Sequence, residues 1–256
     1  MKKLSLLLFA SLAAFASIAA PSREFYELRT YKFNTPEQQA RVEAYLQKAL
    51  LPALHRANIK KVGVFKPLDT DSLFTMRIVV LIPFKTLNEF EGLFDKLSKD
   101  KQYLEDGKEY IDALFDNPPY ARMETVVLKA FSGQPQMTLP ELKGPITERV
   151  YELRSYESHT EKIYRNKVDM FNTGDEVGLF KRLGFNAVFY GEVLSGPSMP
   201  NLMYMTTFEN MDSRNEHWKA FVEDDQWKKL VVMPIYQKNV SKNTILFLRP
   251  TSYSDI

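Results

Sequence analysis

The phrase YELRTY, residues 26–31, returns as YELRSY at residues 151–156. A chain that carries such a phrase twice is constrained to fold two halves alike. Its alternation of residue character is that of a β-strand, with Glu27, Arg29 and Tyr31 on one face and Tyr26 and Leu28 on the other. The polar face recurs as Glu152, Arg154 and Tyr156. A shift of 125 residues pairs Tyr26 with Tyr151 and Arg29 with Arg154. A shift of 124 then pairs Phe84 with Phe208, Phe94 with Trp218, Leu97 with Phe221, Asp100 with Asp224 and Tyr103 with Trp227. A register held over that span marks a tandem duplication.

Both copies run through the same elements. After the first strand, Thr35 and Gln38 form a capping box with Pro36 in the first turn, and Val42, Tyr45, Leu46, Ala49 and Leu50 follow at helical spacing. In the second copy Ser158 and Glu161 are expected to open the corresponding helix. Strands follow at KKVGVF and LFTMRIVVLIPF, or at NAVFYGEV and NLMYMTTF. A second helix is capped by Thr86 and Glu89, or by Ser213 and Glu216. METVVLKAF or NTILFLRP closes each copy. This β-α-β-β-α-β order predicts an α+β fold of two tandem ferredoxin-like repeats. Each repeat leaves one sheet face bare, so the two are expected to close into a shared barrel with helices outside. On that arrangement the faces carrying Glu27, Arg29 and Tyr31, and Glu152, Arg154 and Tyr156, are expected to point into the barrel, with Tyr26 and Leu28 toward the helices.

Residues 1–19 read as a Sec-type signal peptide: Lys2 and Lys3, an apolar run, then small residues with cleavage after Ala19. The chain is therefore expected to be exported, periplasmic or secreted, with no membrane span after cleavage. Residues 20–131 and 149–256 are the two repeats, and 132–148, rich in Gly and Pro, is the linker. The chain has no Cys, which excludes a disulfide-stapled module and a lipoprotein. Loss of Lys2 and Lys3 leaves 32 Lys and Arg against 32 Asp and Glu, so nucleic acid is not an expected partner.

YELRTY together with NLMYMTTFENMDSRNEHWKAFVEDDQWKKL resembles the NIPSNAP family, of the bacterial exported type, within the dimeric α/β barrel superfamily. The resemblance is specific in the second copy, where Arg214, Trp218, Phe221 and Trp227 match the family motif. The first copy has Phe90 or Glu91 for the Arg, Phe94 for the first Trp and Tyr103 for the second, so a role resting on that Arg and Trp is expected in the second half alone. The resemblance implies an intramolecular dimeric α/β barrel. It leaves activity open, because the superfamily includes cofactor-free monooxygenases, isomerase-like enzymes and haem proteins.

The candidate ligand-cavity residues are Glu27, Arg29, Tyr31, Glu152, Arg154, Tyr156 and Tyr204. Glu and Arg two apart on a strand read first as a structural ion pair. The competing reading is an Arg that anchors an acidic or carbonyl ligand beside a Tyr. Met203 and Met205 are expected to line a soft apolar cavity or to fill core. Trp218 and Trp227 read as packing residues rather than a ligand cage. Of the three His, His55 at the end of the first helix is the candidate for acid–base work or haem ligation, against a simple interaction with the helix dipole. No metal site and no cofactor are expected, with haem left open. The function expected is a binding or interaction module for a small apolar or aromatic molecule in the barrel, with homo-oligomers possible. The alternative is a cofactor-independent oxygenase-like or isomerase-like enzyme acting on a small aromatic or carbonyl compound.

Overall fold

A computed structural model describes residues 21–68 and 76–256; the expected signal peptide lies outside them. Eight antiparallel strands close into a barrel in the order β1-β3-β2-β8-β5-β7-β6-β4. The first repeat supplies β1 (Phe25–Lys32), β2 (Gly63–Pro67), β3 (Arg77–Phe84) and β4 (Arg122–Ala130). The second supplies β5 (Val150–Glu157), β6 (Phe189–Ser195), β7 (Asn201–Phe208) and β8 (Lys242–Pro250). Each repeat is thus a sheet of four with a β-α-β-β-α-β order. The outer strands of one pair with those of the other, β2 with β8 and β4 with β6. Closure leaves neither sheet a free edge. The chain is an intramolecular dimeric α/β barrel.

The helices lie outside. In the first repeat they are α1 (Pro36–Tyr45), a π-turn at Leu46–Leu50, α2 (Leu51–Arg56), α3 (Leu87–Glu91), α4 (Leu93–Leu97), α5 (Lys101–Asp106) and α6 (Lys108–Ile111). In the second they are α7 (Glu161–Asn172), α8 (Glu176–Arg182), α9 (Met211–Glu223) and α10 (Asp225–Val231). Among the described residues no helix is long and apolar enough to cross a membrane. The boxes at Thr35 and Thr86 form: each hydroxyl accepts the N–H three residues on, while Gln38 and Glu89 reach back to the N–H of Asn34 and Lys85. The other two helix starts differ from expectation. Thr160 caps α7 and Asn210 caps α9. Ser158 is instead buried, and its hydroxyl donates to the carbonyl of Asn239.

The faces of the repeated strand are the reverse of those expected. Tyr26 and Leu28 point into the barrel with Tyr151, Leu153, Met203, Met205, Leu246 and Leu248. Glu27, Arg29, Tyr31 and their counterparts point toward the helices of their own repeat. The reason is polar satisfaction. The barrel interior is mainly aliphatic and aromatic, whereas α9 brings the guanidinium of Arg214 and the indole N–H of Trp218 to Glu152. The interior is also largely filled. Tyr26 packs on Phe189 at 5.2 Å and Phe65 on Tyr151 at 5.1 Å between ring centres. Met137 and Leu142 from the interrepeat segment cover one end. A cavity of about 160 Å³ remains near the other, between Leu28, Thr30, Leu153, Ser155 and Met203.

Candidate ligand-binding site

A larger cavity, about 440 Å³, lies between the second sheet and its helices. That is within the range of about 300–1,000 Å³ usual for small-molecule sites. Its floor is Arg154 and Tyr156 from β5. Its walls are Lys167 and Met170 of α7, Glu176 of α8, Trp218 and Phe221 of α9 and Trp227 of α10. The segment Tyr236–Val240 and Asn243 complete it. Both tryptophans of the chain therefore face this one space.

Glu152, fully buried, organises the floor from below. It accepts from Arg154 Nε at 2.6 Å, Arg214 Nε and Nη2 at 2.9 Å each, and Trp218 Nε1 at 2.8 Å. Burial would raise its pKa, but the hydrogen bonds from Arg214 and the charge of Arg154 outweigh that and hold it below the ordinary carboxylate value. The family-motif residues Arg214 and Trp218 are thus the second-repeat donors for the repeated Glu. Trp218 has a further contact: the Arg154 guanidinium stacks 3.7 Å from its ring centre. Arg154 Nη1 donates to Tyr156 Oη at 2.9 Å, and Tyr156 shares a hydrogen bond of 2.8 Å with the buried Tyr204. Burial raises the Tyr204 pKa well above the usual phenol value, so it stays protonated.

Lys167 and Glu176, which sequence reasoning missed, form the second polar group. Their side chains are 5 % and 3 % exposed and pair at 2.9 Å. Lys167 Nζ also lies 4.6 Å from the Phe171 ring centre and 5.6 Å from that of Tyr156. The signal was present: Lys167 sits between Tyr164 and Phe171 on the apolar stripe of α7, where an unpaired charge would not be tolerated. Tyr156 therefore lies between two cations. Arg154 and Lys167 line the cavity with Glu176, and behind them Arg214 joins Arg154 on Glu152, so this group of three cations and two carboxylates carries one excess positive charge.

The first repeat is different. Arg29 pairs with Glu27 through Nε at 2.8 Å and Nη2 at 3.0 Å, and Thr125 supplies the remaining donor. Tyr110 stacks on Tyr45 at 3.7 Å and edges onto Tyr31, and Tyr45 hydrogen-bonds Tyr103. These tyrosines fill the space that is open in the second repeat. Phe94, at the position of Trp218, points away and is 77 % exposed.

Glu27, Arg29 and Tyr31 thus belong to a packed layer. Arg154 and Tyr156 line the open cavity, while Glu152 and Tyr204 lie behind them. Phe221 and Trp227 pack at a tilt, 4.4 Å between ring centres, in its wall. His55 lies elsewhere, paired with Asp255 at 2.9 Å near the C-terminus. None of the three histidines lines the cavity, so it offers haem no imidazole.

The NIPSNAP family model matches residues 151–255, nearly the whole of the second repeat. No curated protein matches the chain in sequence. Among solved structures, a monooxygenase candidate from Lactobacillus acidophilus NCFM superposes with a TM-score of 0.57 at 7% identity, covering 90% of this chain and 94% of that one. An anthrone oxidase-like protein gives 0.53 at 10% identity, covering 91% and 94%. These two likenesses are of fold alone. A NIPSNAP family protein from Agrobacterium tumefaciens str. C58 is 20% identical over 42% of this chain and 97% of its own, with a TM-score of 0.37.

Proposed function

We propose that the protein binds one small molecule per chain, in the helix–sheet cavity of the second repeat, and that this molecule joins an apolar or aromatic body to an acidic group. The carrying observation is the position of Tyr156 between Arg154 and Lys167, on the floor of a cavity with aromatic walls. A carboxylate beside the Tyr156 hydroxyl would meet the excess positive charge, and Trp218, Phe221 and Trp227 would cover its body. Arg154 is held in place by Glu152 and Trp218 before any ligand arrives, which lowers the ordering cost of binding. A binding role fits better than the enzymatic alternative. A cofactor-free enzyme needs a free base, and the carboxylate in the cavity, Glu176, is already held by Lys167. Export, as read from residues 1–19, is part of this proposal.

The test uses the two tryptophans as reporters. Titration with 1-naphthoate should change their emission saturably with one site per chain, 1-naphthylamine should not, and Arg154→Gln should abolish the response while leaving the circular dichroism spectrum intact. An unchanged response in Arg154→Gln would overturn the proposal.

A further inference from the structure

The cavity changes character from floor to mouth. The floor is charged and buried, the walls are aromatic, and the rim is apolar yet open to solvent. Val222 of α9 lines the cavity and is 59 % exposed. Residues 231–235, VVMPI, run along the rim between the buried Leu230 and the buried Tyr236; Val231 and Tyr236 themselves line the cavity. All five of these apolar residues are exposed, Val232 by 66 % and Ile235 by 65 %. Single exposed apolar side chains need no explanation, but a run of them at the lip of a cavity does.

The first repeat supplies an internal comparison. In the register that pairs Tyr103 with Trp227, residues 231–235 correspond to 107–111, GKEYI. There Tyr110 turns inward to stack on Tyr45, and Lys108 and Glu109 are exposed beside it. In the second repeat no tyrosine takes that place, and the same stretch is an unbroken exposed apolar run beside the cavity.

We propose that the ligand is a single-chain amphiphile with an acidic head, a medium- or long-chain carboxylate. Its head lies beside Tyr156, between Arg154 and Lys167, and its chain runs past Trp218 and Trp227 and leaves over Val222 and the 231–235 rim. This rests on the site proposed above and adds the chain. The rim residues lose exposed apolar surface only when such a chain lies over them, which is the gain that would hold an alkyl tail at the mouth. A compact aromatic acid would leave them in water.

The experiment measures tryptophan emission against butanoate, hexanoate, octanoate and decanoate, each below its micelle concentration, with decylammonium as the opposite-charge control. Affinity should rise by about two- to fourfold per added methylene, the upper figure being that of a fully buried CH₂. The variant Val232→Ser/Ile235→Ser changes only exposed side chains that lie outside the cavity lining. It should flatten that rise while leaving 1-naphthoate binding as it was. Equal affinity along the series, or a chain-length dependence that survives in the double variant, would overturn the inference while leaving the acid site standing. Decylammonium binding as tightly as decanoate would overturn the acidic head. If neither 1-naphthoate nor any alkanoate alters the emission, the site itself is wrong, and the inference falls with it.

Discussion

The Arg154 guanidinium lies 3.7 Å over the ring of Trp218, while Phe94, in the corresponding position of the first repeat, turns outward and gives Arg29 no such cover. Each strand carries the same Glu-Leu-Arg, yet the carboxylates differ in how many partners they can lose.

Glu152 keeps Arg214 and Trp218 if Arg154 is removed, whereas Glu27 keeps only Thr125 if Arg29 is removed. Arg29→Met should therefore cost about 3–5 kcal/mol, the penalty for stranding a buried charge. Arg154→Met should cost about 1–2 kcal/mol, from one hydrogen-bonded pair and one cation–π contact. Urea unfolding of both variants checks the order, and an Arg154→Met protein as damaged as Arg29→Met would defeat it.

Acid should weaken the second repeat through three carboxylates whose folded pKa values lie below their unfolded ones: Glu209, held down by the N–H groups of Lys143 and Gly144, and two others. Glu152 is buried, but Arg214 and Arg154 hold it down from 4.5. Asp224 is held down to about 2, from 3.8, by Arg182 and the N–H groups of Gln226 and Trp227. A depressed pKa adds stability above the unfolded value and loses it as pH falls toward the folded one. Thermal midpoints should thus drop as pH is lowered from about 4.5 toward 2. Glu152→Gln and Asp224→Asn should each make that drop shallower, relative to their own midpoints at pH 7.

Residues 21–131 alone would leave the outer edges of β2 and β4 unpaired and Tyr26, Leu28, Phe65, Val79, Leu81 and Leu128 bare. The fragment should dimerise or aggregate at micromolar concentration. Light scattering that finds a monomer with a cooperative melt would show that the halves do not need each other.

Tyr110→Ala should remove the ring stacked on Tyr45 and edged onto Tyr31, at a cost of about 3–5 kcal/mol. It should also open a space beside Tyr31. Denaturant unfolding reads the first effect. A loss below about 1 kcal/mol would mean that the tyrosine layer is loosely packed.

The barrel was legible in the sequence because the repeat and the strand and helix periodicities agree at every element. The orientation of the repeated strand was not. Alternation separates Tyr26 and Leu28 from Glu27 and Arg29, but says nothing about which set faces the partner sheet. That choice is decided by donors distant in sequence, Arg214 and Trp218, some sixty residues beyond Glu152. The start of α7 was missed for a similar reason. Ser158 and Thr160 are both good caps, and Ser158 is committed to the Asn239 carbonyl across the fold. The buried pair Lys167 and Glu176 lies nine residues apart on two helices, a spacing no single periodicity connects.

A barrel closed by two identical subunits would carry every substitution twice, so a tyrosine that plugs one pocket would plug the other. Here the halves are joined in one chain, and β2–β8 and β4–β6 pair unlike strands. Tyr110 could enter the first repeat without any counterpart being forced on the second. Covalent fusion has released the two pockets from sharing one fate: one half could harden into scaffold while the other stayed open.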